Sequence, residues 1–549
     1  MPGAAFLICI KDSVFIDPPY NTGNDFIYHD DFSIDSEEYD EQVGAFDIDT
    51  GIRRFKNTDS NGRFHSDWCS MIYSRLLISR NLLTTDGIIF ISIDDHEIDS
   101  MLKIGNEIFG AENYIALFPR VTKKAGKTTD AIAKNHDYVL AYSKSSAPTF
   151  YLPNHTDEGF KFSDEFESVR GKYKLNQTLD YDSLQYSASL DYPITIGDEV
   201  FYPGVSYEKY LERKAGHHAR ADWAWRWSKE LFNFGWKNGF VVIKRYDDYS
   251  RIYTKTYQNC KIVKNGSDFK IEYIDRTRAI SSLEFVENEY SNDNSKKNLL
   301  QLFETSVFDY SKPVSLLESL IDYTTKKDDI VMDFFSGSAT TAHASMRCSA
   351  ESGNRKFVMV QIPDKCDELS EGYKAGYRTI CDIGKERIRR AGKKIKEDSP
   401  LTTQNLDIGF RVLKLADSNM NDVYYSAGEY GQQMLDDMES KIRPDRTDLD
   451  LLFGCLLEWG LPLSLPYKSE TIDGCTVHTY APGDPDLDIR DALIACFDEK
   501  VPTNVIETIA RRNPLRAVFR EECFTSSPDK INVFETFKRL AQGTAVKVI

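Results

Sequence analysis

"VFIDPPYNTGNDFIY", Val14 to Tyr28, sets an apolar run against a rigid turn. Val14-Phe15-Ile16 has the composition of a short buried strand, yet it halts at Asp17-Pro18-Pro19-Tyr20. Proline has no amide hydrogen to give to a sheet ladder, so the strand ends there and the chain turns. A carboxylate and an aromatic ring then stand at the carboxyl end of a buried strand, where open α/β sheets bind their ligands. The tetrapeptide also reads as an ordinary loop, because Asp and Pro are common turn formers and Tyr often packs.

The surrounding chain supports the sheet. Gly87 to Ile93, Tyr138 to Tyr142, Ile330 to Phe334 and Phe357 to Ile362 are near-continuous apolar runs, as expected of strands covered on both faces of a largely parallel sheet. Trp68, Ile72, Leu76 and Leu83 put apolar groups on one face of a helix ending near Asp86-Gly87. Ile98, Met101, Leu102, Ile108 and Phe109 do the same for a second helix. One long helix is expected after the last strand, carrying Tyr373, Tyr377, Ile380, Ile388, Ala391 and Ile395. Its end, Lys385 to Glu397, holds seven cations and two anions, a pattern that a solvated face explains. Strand–helix alternation predicts an α/β fold with a doubly wound domain.

Between Pro153 and Lys312 the pattern changes to aromatic and β-branched residues alternating with polar ones, with turn clusters such as Lys264-Asn265-Gly266-Ser267. This reads as a β-rich domain inserted into the α/β domain. The expected division is 1–152, 153–311, 312–398 and an acidic α+β region at 399–549.

A chain of 549 residues is too long for one core and predicts roughly two to four domains. No apolar run approaches the roughly 18 to 20 residues that cross a bilayer. The opening "MPGAAFLICI" has neither a leading cation nor a cleavage site and is not read as a signal peptide. Ten cysteines occur singly, without a Cys-x-x-Cys pair, which points to reduced thiols in a cytoplasm and away from a metal site. The net charge of −18 speaks against nucleic acid only until its distribution is considered. Gly431 to Lys500 carries 15 acidic and 6 basic residues, while Phe201 to Cys260 carries 11 basic and 6 acidic, a local +5. Contact with phosphates depends on such local patches.

A second motif lies in "DDIVMDFFSGSATTAHASM", Asp328 to Met346, where a strand runs through Ser336-Gly337-Ser338-Ala339 into a helix. Small residues there let the backbone approach a cofactor, with helix amides exposed to a negative group. Together the two motifs make the chain recognisable. It resembles the amino-group DNA methyltransferases that use S-adenosylmethionine, with Asp-Pro-Pro-Tyr as catalytic motif and Asp-Phe-Phe-x-Gly-Ser as cofactor motif. The catalytic motif comes first, 316 residues ahead (333 minus 17), which is the permuted, β-class order. The blocks "DGIIFISIDDHEIDSM", "NHDYVLAYSK", "WRWSKE", "RIYTKTY", "KPVSLLESLI" and "YKAGYRTICDIGKERIRRA" are similar to modification (Mod) subunits of type III restriction–modification systems.

That resemblance implies a Rossmann-like methyltransferase domain split by a target-recognition domain, and methylation of the N6 amine of a flipped-out adenine. An exocyclic amine is a poor nucleophile because its lone pair is delocalised. Asp17 and the carbonyl of Pro18 would accept its N–H bonds, Pro19 would stiffen the turn, and Tyr20 would face the base. S-adenosylmethionine would be held by Asp333, Phe335, Gly337, Ser338 and Thr340, with Lys312 and Pro313 in the preceding motif and Gln361 at the ribose. No metal is implied. The resemblance further implies double-stranded DNA as substrate, a homodimer, and a restriction (Res) helicase–nuclease partner. In the insert, Trp223, Trp225, Trp227 and Trp236 lie among cations, with Arg226, Lys229, Lys244 and Arg245 as DNA-contact candidates. The alternating tryptophans also fit one buried face of a strand.

Three features depart from the family pattern. Sixteen residues precede Asp17, fewer than in family members, which predicts a weaker hold on the cofactor. Ala339 replaces a second glycine, which is tolerable where the backbone keeps φ negative. Gln361 replaces an acid expected at the ribose hydroxyls and lacks charge assistance. Cytosine N4 methylation and a catalytically inactive DNA-recognition subunit are the alternative readings.

Overall fold

The computed structural model describes residues 12–23, 26–28, 54–56, 62–124, 131–154, 159–247, 249–266, 268–421, 442–484, 489–524 and 527–549. The opening stretch 1–11 and the acidic stretch 422–441 lie outside the described residues. The described residues divide into two compact units, one within 12–408 and one within 409–549.

The first unit holds a mixed α/β sheet. Its elements are β1 (Asp12–Ile16), α1 (Phe64–Leu82), β2 (Ile88–Ile93), α2 (Ile98–Phe109), β3 (Tyr114–Val121), β4 (His136–Ser143), α3 (Asn292–Phe303), α4 (Val314–Thr324), β5 (Ile330–Asp333), α5 (Thr340–Ser352), β6 (Lys356–Met359) and α6 (Ile380–Asp398). The strand order is β6-β5-β1-β2-β4-β3. The first four run parallel, β4 opposes β2, and β3 opposes β4. Val14 sits opposite both Ile89 of β2 and Met332 of β5, so the two motif-bearing strands are neighbours.

Strand alternation explains why both sheet faces are covered. Val14, Ile16, Ile89 and Ile91 join Trp68, Ile72, Leu76 and Met101 of α1 and α2 in one core. Phe15, Ile88, Phe90 and Val331 join Leu316, Leu317 and Leu320 of α4 and Ala344 of α5 in the other. Every residue of β2 is buried, as a central strand between two helical layers requires. The apolar runs do not reveal β3, because Pro119 interrupts it; the strand tolerates proline because it lies at the sheet edge.

The long helix expected after β6 is broken. Tyr373 belongs to a short turn of helix, Glu371–Lys374, and Gly376 follows at φ +98°. Thr379 then caps α6, accepting from the Asp382 amide (3.2 Å) while the Asp382 carboxylate accepts from the Thr379 amide (3.0 Å). A capping box starts a new helix more effectively than apolar spacing can continue an old one.

Between β4 and α3 the chain builds small antiparallel sheets: Tyr173–Thr178 with Ser250–Tyr257 and Val241–Arg245, Asp180–Ser183 with Asp222–Trp225, and the hairpin Cys260–Asn265 with Asp268–Tyr273. Trp225 is buried and gives its indole N–H to the Tyr192 carbonyl (2.6 Å), Trp223 and Trp227 are half-buried, and Trp236 is exposed.

The second unit has its own sheet of β7 (Tyr467–Ile472), β8 (Cys475–Tyr480), β9 (Leu493–Cys496), β10 (Arg516–Phe519) and β11 (Ala545–Val548), ordered in sequence. One face packs on α7 (Asp448–Glu458), the other on α8 (Thr503–Arg511) and α9 (Ser527–Leu540). Cys475, Cys496 and Asp498 bring their potential ligand atoms within 4.8 Å of one another, a grouping across β8 and β9 that sequence spacing does not show. The Cys496 thiol donates to the Asp498 carboxylate (3.6 Å), and burial pushes that thiol up to about 12. Among the described residues, no helix is long and apolar enough to cross a membrane.

Candidate functional site

Asp17 follows the last residue of β1, and Asp333 is the last residue of β5. Pairing of these strands therefore brings together two motifs that are 316 residues apart (333 minus 17). The turn after β1 is held on three sides. Pro18 is buried, and the buried Trp68 of α1 donates its indole N–H to the carbonyl of Pro19 (2.8 Å). Asn21 closes the turn in the left-handed region (φ 59°), where Asn is among the few residues tolerated. Its side-chain amide reaches the buried Glu97 at 2.6 Å, and His65 contacts the same carboxylate oxygen at 2.5 Å.

Lys312 defines the electrostatics. Its ammonium lies 2.8 Å from Asp17 and 2.8 Å from the Tyr20 hydroxyl, and 4.9 Å from the centre of the Tyr20 ring. Burial, followed by the charges of Asp17 and Asp137, holds the Tyr20 phenol well above its ordinary pKa. It is therefore protonated, accepts from Lys312 and donates to Asp137 (3.3 Å). Asp137 is in turn clasped by two nitrogens of the fully buried Arg120 (2.7 and 2.5 Å), which also donates to the Tyr290 carbonyl (2.8 Å) and Asn292 (3.0 Å). Sequence reasoning placed Lys312 with the cofactor and gave no role to Asp137, Arg120, Asn21 or Glu97. "NHDY" stood out as a block, but nothing in it showed that Asp137 lies across the sheet from Tyr20.

Asp333 holds the second loop. Its carboxylate accepts from the Thr341 hydroxyl (2.6 Å) and the Phe335 amide (3.0 Å). Burial pushes its pKa up to about 7, those two donors pull it down, and the nearby charge of Asp17 adds to the rise. Gly337 takes φ +50°, and its amide donates to the Gln361 side-chain oxygen (2.7 Å). Gln361 lies beyond the end of β6 and braces the loop backbone with the group expected to meet a ribose. Ala339 contradicts its expectation: it stands at φ 61°, ψ 42°, in the left-handed region. That conformation lets the chain turn into α5, whose first residue is Thr340, at a cost of about 1–2 kcal/mol for a residue with a Cβ. Phe335 is half-buried against Phe334, and Pro313 is the residue that opens α4.

Arg387 departs furthest from the sequence reading. It belongs to the basic end of α6, expected to be solvated, yet it is wholly buried. One guanidinium nitrogen lies within hydrogen-bond distance of three hydroxyls, Ser338 (2.7 Å), Thr340 (2.7 Å) and Ser311 (2.8 Å), with two N–H bonds to share among them. Its other two nitrogens have no hydrogen-bond partner among the described residues. Burial pulls its pKa down to about 9, so it remains a cation at neutral pH. Its neighbours on α6, Lys385, Arg389 and Arg390, pair with Asp382 and Glu386, as a solvated face should.

The four candidate DNA contacts, Arg226, Lys229, Lys244 and Arg245, all lie in the segment between β4 and α3. Lys244 and Arg245 are consecutive in one strand and so face opposite ways. Lys244 sits 5.2 Å from the Tyr253 ring centre, and Arg245 pairs with Glu199 at 3.2 Å. Arg226 is exposed over the Tyr181 ring (4.3 Å), and Lys229 is exposed at the start of the helix Lys229–Lys237.

Comparison with known proteins shows which family the chain resembles. The family model described as DNA methylase (N6_N4_Mtase) matches residues 12–371. The chain is 30% identical over 441 residues to the type III restriction–modification enzyme StyLTI Mod subunit of Salmonella typhimurium, covering 78% of this chain and 58% of that one. It is 29% identical over 490 residues to the EcoPI Mod subunit of Escherichia phage P1, covering 85% and 70%. It is also 27% identical over 401 residues to the type II methyltransferase M.KpnI of Klebsiella pneumoniae, covering 69% and 81%.

Proposed function

Because the chain belongs to the DNA methylase family, we propose that it methylates the N6 amine of adenine in double-stranded DNA as the Mod subunit of a type III restriction–modification system. In this reading residues 153–311 form a target-recognition domain inserted into a doubly wound methyltransferase domain. The protein works in the cytoplasm as a homodimer, with a Res helicase–nuclease subunit as partner. The observation that carries the reading is the meeting of Asp17, Tyr20 and Lys312 beside Asp333 at the carboxyl ends of β1 and β5.

Bound S-adenosylmethionine would supply an electrophilic methyl group on a sulfonium centre. The residues present suit such a ligand: a braced glycine loop, a ring of hydroxyls, and a buried cation without a charged partner. Asp17 accepts one N–H of the target amine. Trp68 occupies the Pro19 carbonyl, so the carbonyl of Pro18 takes the other. Both acceptors are set before the base arrives, which spares reorganisation during transfer. Lys312 holds Asp17 in place, and Tyr20, pinned through its hydroxyl, offers its ring to the extruded base.

The test is Asp17→Ala in the full chain. Methyl transfer from labelled cofactor to DNA should fall by about 10²–10³, the scale for one positioned electrostatic contact, while S-adenosylmethionine binding stays close to the parent. Transfer at the parent rate would overturn this mechanism. Identifying the modified base in the product separates adenine N6 from cytosine N4.

A further inference from the structure

A guanidinium buried without an anion is costly, since desolvation of a charge is recovered only through a paired charge or full hydrogen bonding. Arg387 has neither: it is fully buried, no ion pair to it is found among the described residues, and two of its nitrogens are without partners. His343, on the neighbouring α5, is no counter-ion, because burial and the positive charges of Arg387, Arg347 and Lys394 keep it neutral.

The three hydroxyls on Arg387 give this charge a direction. Ser338 and Thr340 stand at the start of α5, and Ser311 precedes Lys312. A hydroxyl that accepts from arginine must turn its own proton elsewhere. Ser338 turns its proton toward Ser311 (3.3 Å), and Ser311 has two outlets for its own, the Thr340 hydroxyl (3.1 Å) and the Lys312 carbonyl (3.3 Å), so that with Lys312 taking it Thr340 is left to donate elsewhere. A chain of polarised donors therefore begins at a buried cation and reaches the N-terminus of a thirteen-residue helix, whose own amides favour negative charge.

We propose that Arg387 is a positioning residue for the cofactor's amino-acid end, orienting the Ser311, Ser338 and Thr340 hydroxyls as a site for the methionine carboxylate. The proposal rests on the methyltransferase reading and names the residue that supplies the charge. Arg387 does not touch the reacting atoms. It neutralises the carboxylate through the hydroxyls, and bound carboxylate relieves the unpaired guanidinium.

Calorimetric titration of the full chain with two ligands tests this. S-adenosylhomocysteine carries the carboxylate; 5′-methylthioadenosine keeps the adenosine and lacks the amino-acid end. Arg387→Gln should weaken S-adenosylhomocysteine by about 10–100-fold, the range of a hydrogen bond to a charged group, and leave 5′-methylthioadenosine within about twofold. Arg387→Lys keeps the charge without the fork and should fall between parent and Arg387→Gln. Equal loss of both ligands, or none, would show that Arg387 only scaffolds the loop. If Arg387→Gln does not fold, an unchanged ratio of the two affinities in Arg387→Lys overturns the proposal. A parent chain that binds neither ligand overturns the methyltransferase reading itself, which distinguishes the two failures.

Discussion

Lys312 separates two roles that one residue could play. If it served the cofactor, its loss would weaken S-adenosylmethionine; on the proposed reading its contacts at 2.8 Å to Asp17 and Tyr20 put it to work at the target amine. Lys312→Met should therefore lower kcat by about tenfold or more while cofactor affinity changes by less than about threefold. Single-turnover rates together with calorimetry read both quantities, and a large loss of affinity would return Lys312 to the cofactor. Asp333 makes a prediction about pH. Its folded pKa is raised to about 7 against an unfolded value of about 4, so its contribution to stability is complete below about pH 4 and is lost as the pH climbs through 7. Asp333→Asn removes that penalty and can still satisfy the Phe335 amide. The variant should gain stability over the parent from pH 5 to pH 8, by at most a few kcal/mol. Urea unfolding at the two pH values checks this, and a constant difference between the chains would contradict it.

At the scale of elements, the junction of β5 with α5 concentrates strain. Ala339 is 2% exposed and left-handed, two residues after Gly337 at φ +50°, and the loop is braced by Gln361 and Thr341. Ala339→Gly should raise stability by about 0.5–1 kcal/mol, the relief of a Cβ at positive φ less the added freedom of glycine in the unfolded chain. Chemical denaturation would show it, and a destabilised variant would mean that the buried methyl group outweighs its strain. The broken helix before α6 makes the same point from the other side. Thr379 and Asp382 cap one another, and Arg387, two turns on, points inward at Ser338 and Thr340. A continuous helix from Tyr373 would have set its register differently.

For the whole molecule, Asp17, Tyr20 and Asp333 stand at the carboxyl ends of strands of the main sheet, while the small antiparallel sheets between Tyr173 and Tyr273 fall in sequence between β4 and α3. Exchanging residues from about 155 to 300 for the same stretch of a relative should alter the DNA sequence that is modified and leave the reaction unchanged. Sequencing of methylated DNA from cells expressing the chimaera would read the outcome. An active chimaera with the parent's sequence preference would refute the assignment of that segment.

Local chemistry made the strands, both motifs and the switch to a β-rich segment legible. Apolar runs, prolines that cannot join a ladder, and small residues before a helix all act within a few residues of themselves. The same locality hid β3, whose place at the edge makes Pro119 tolerable, and the break at Gly376. It also hid the side chains whose roles depend on partners far along the chain. Lys312 meets Asp17 across 295 positions (312 minus 17), Asp137 meets Tyr20 across 117, and Arg387 meets Ser311 across 76. In the sequence Arg387 is one cation among seven in a basic run. Only the packing of α6 on α5 withdrew it from water, because a charge acquires its meaning from what surrounds it in space.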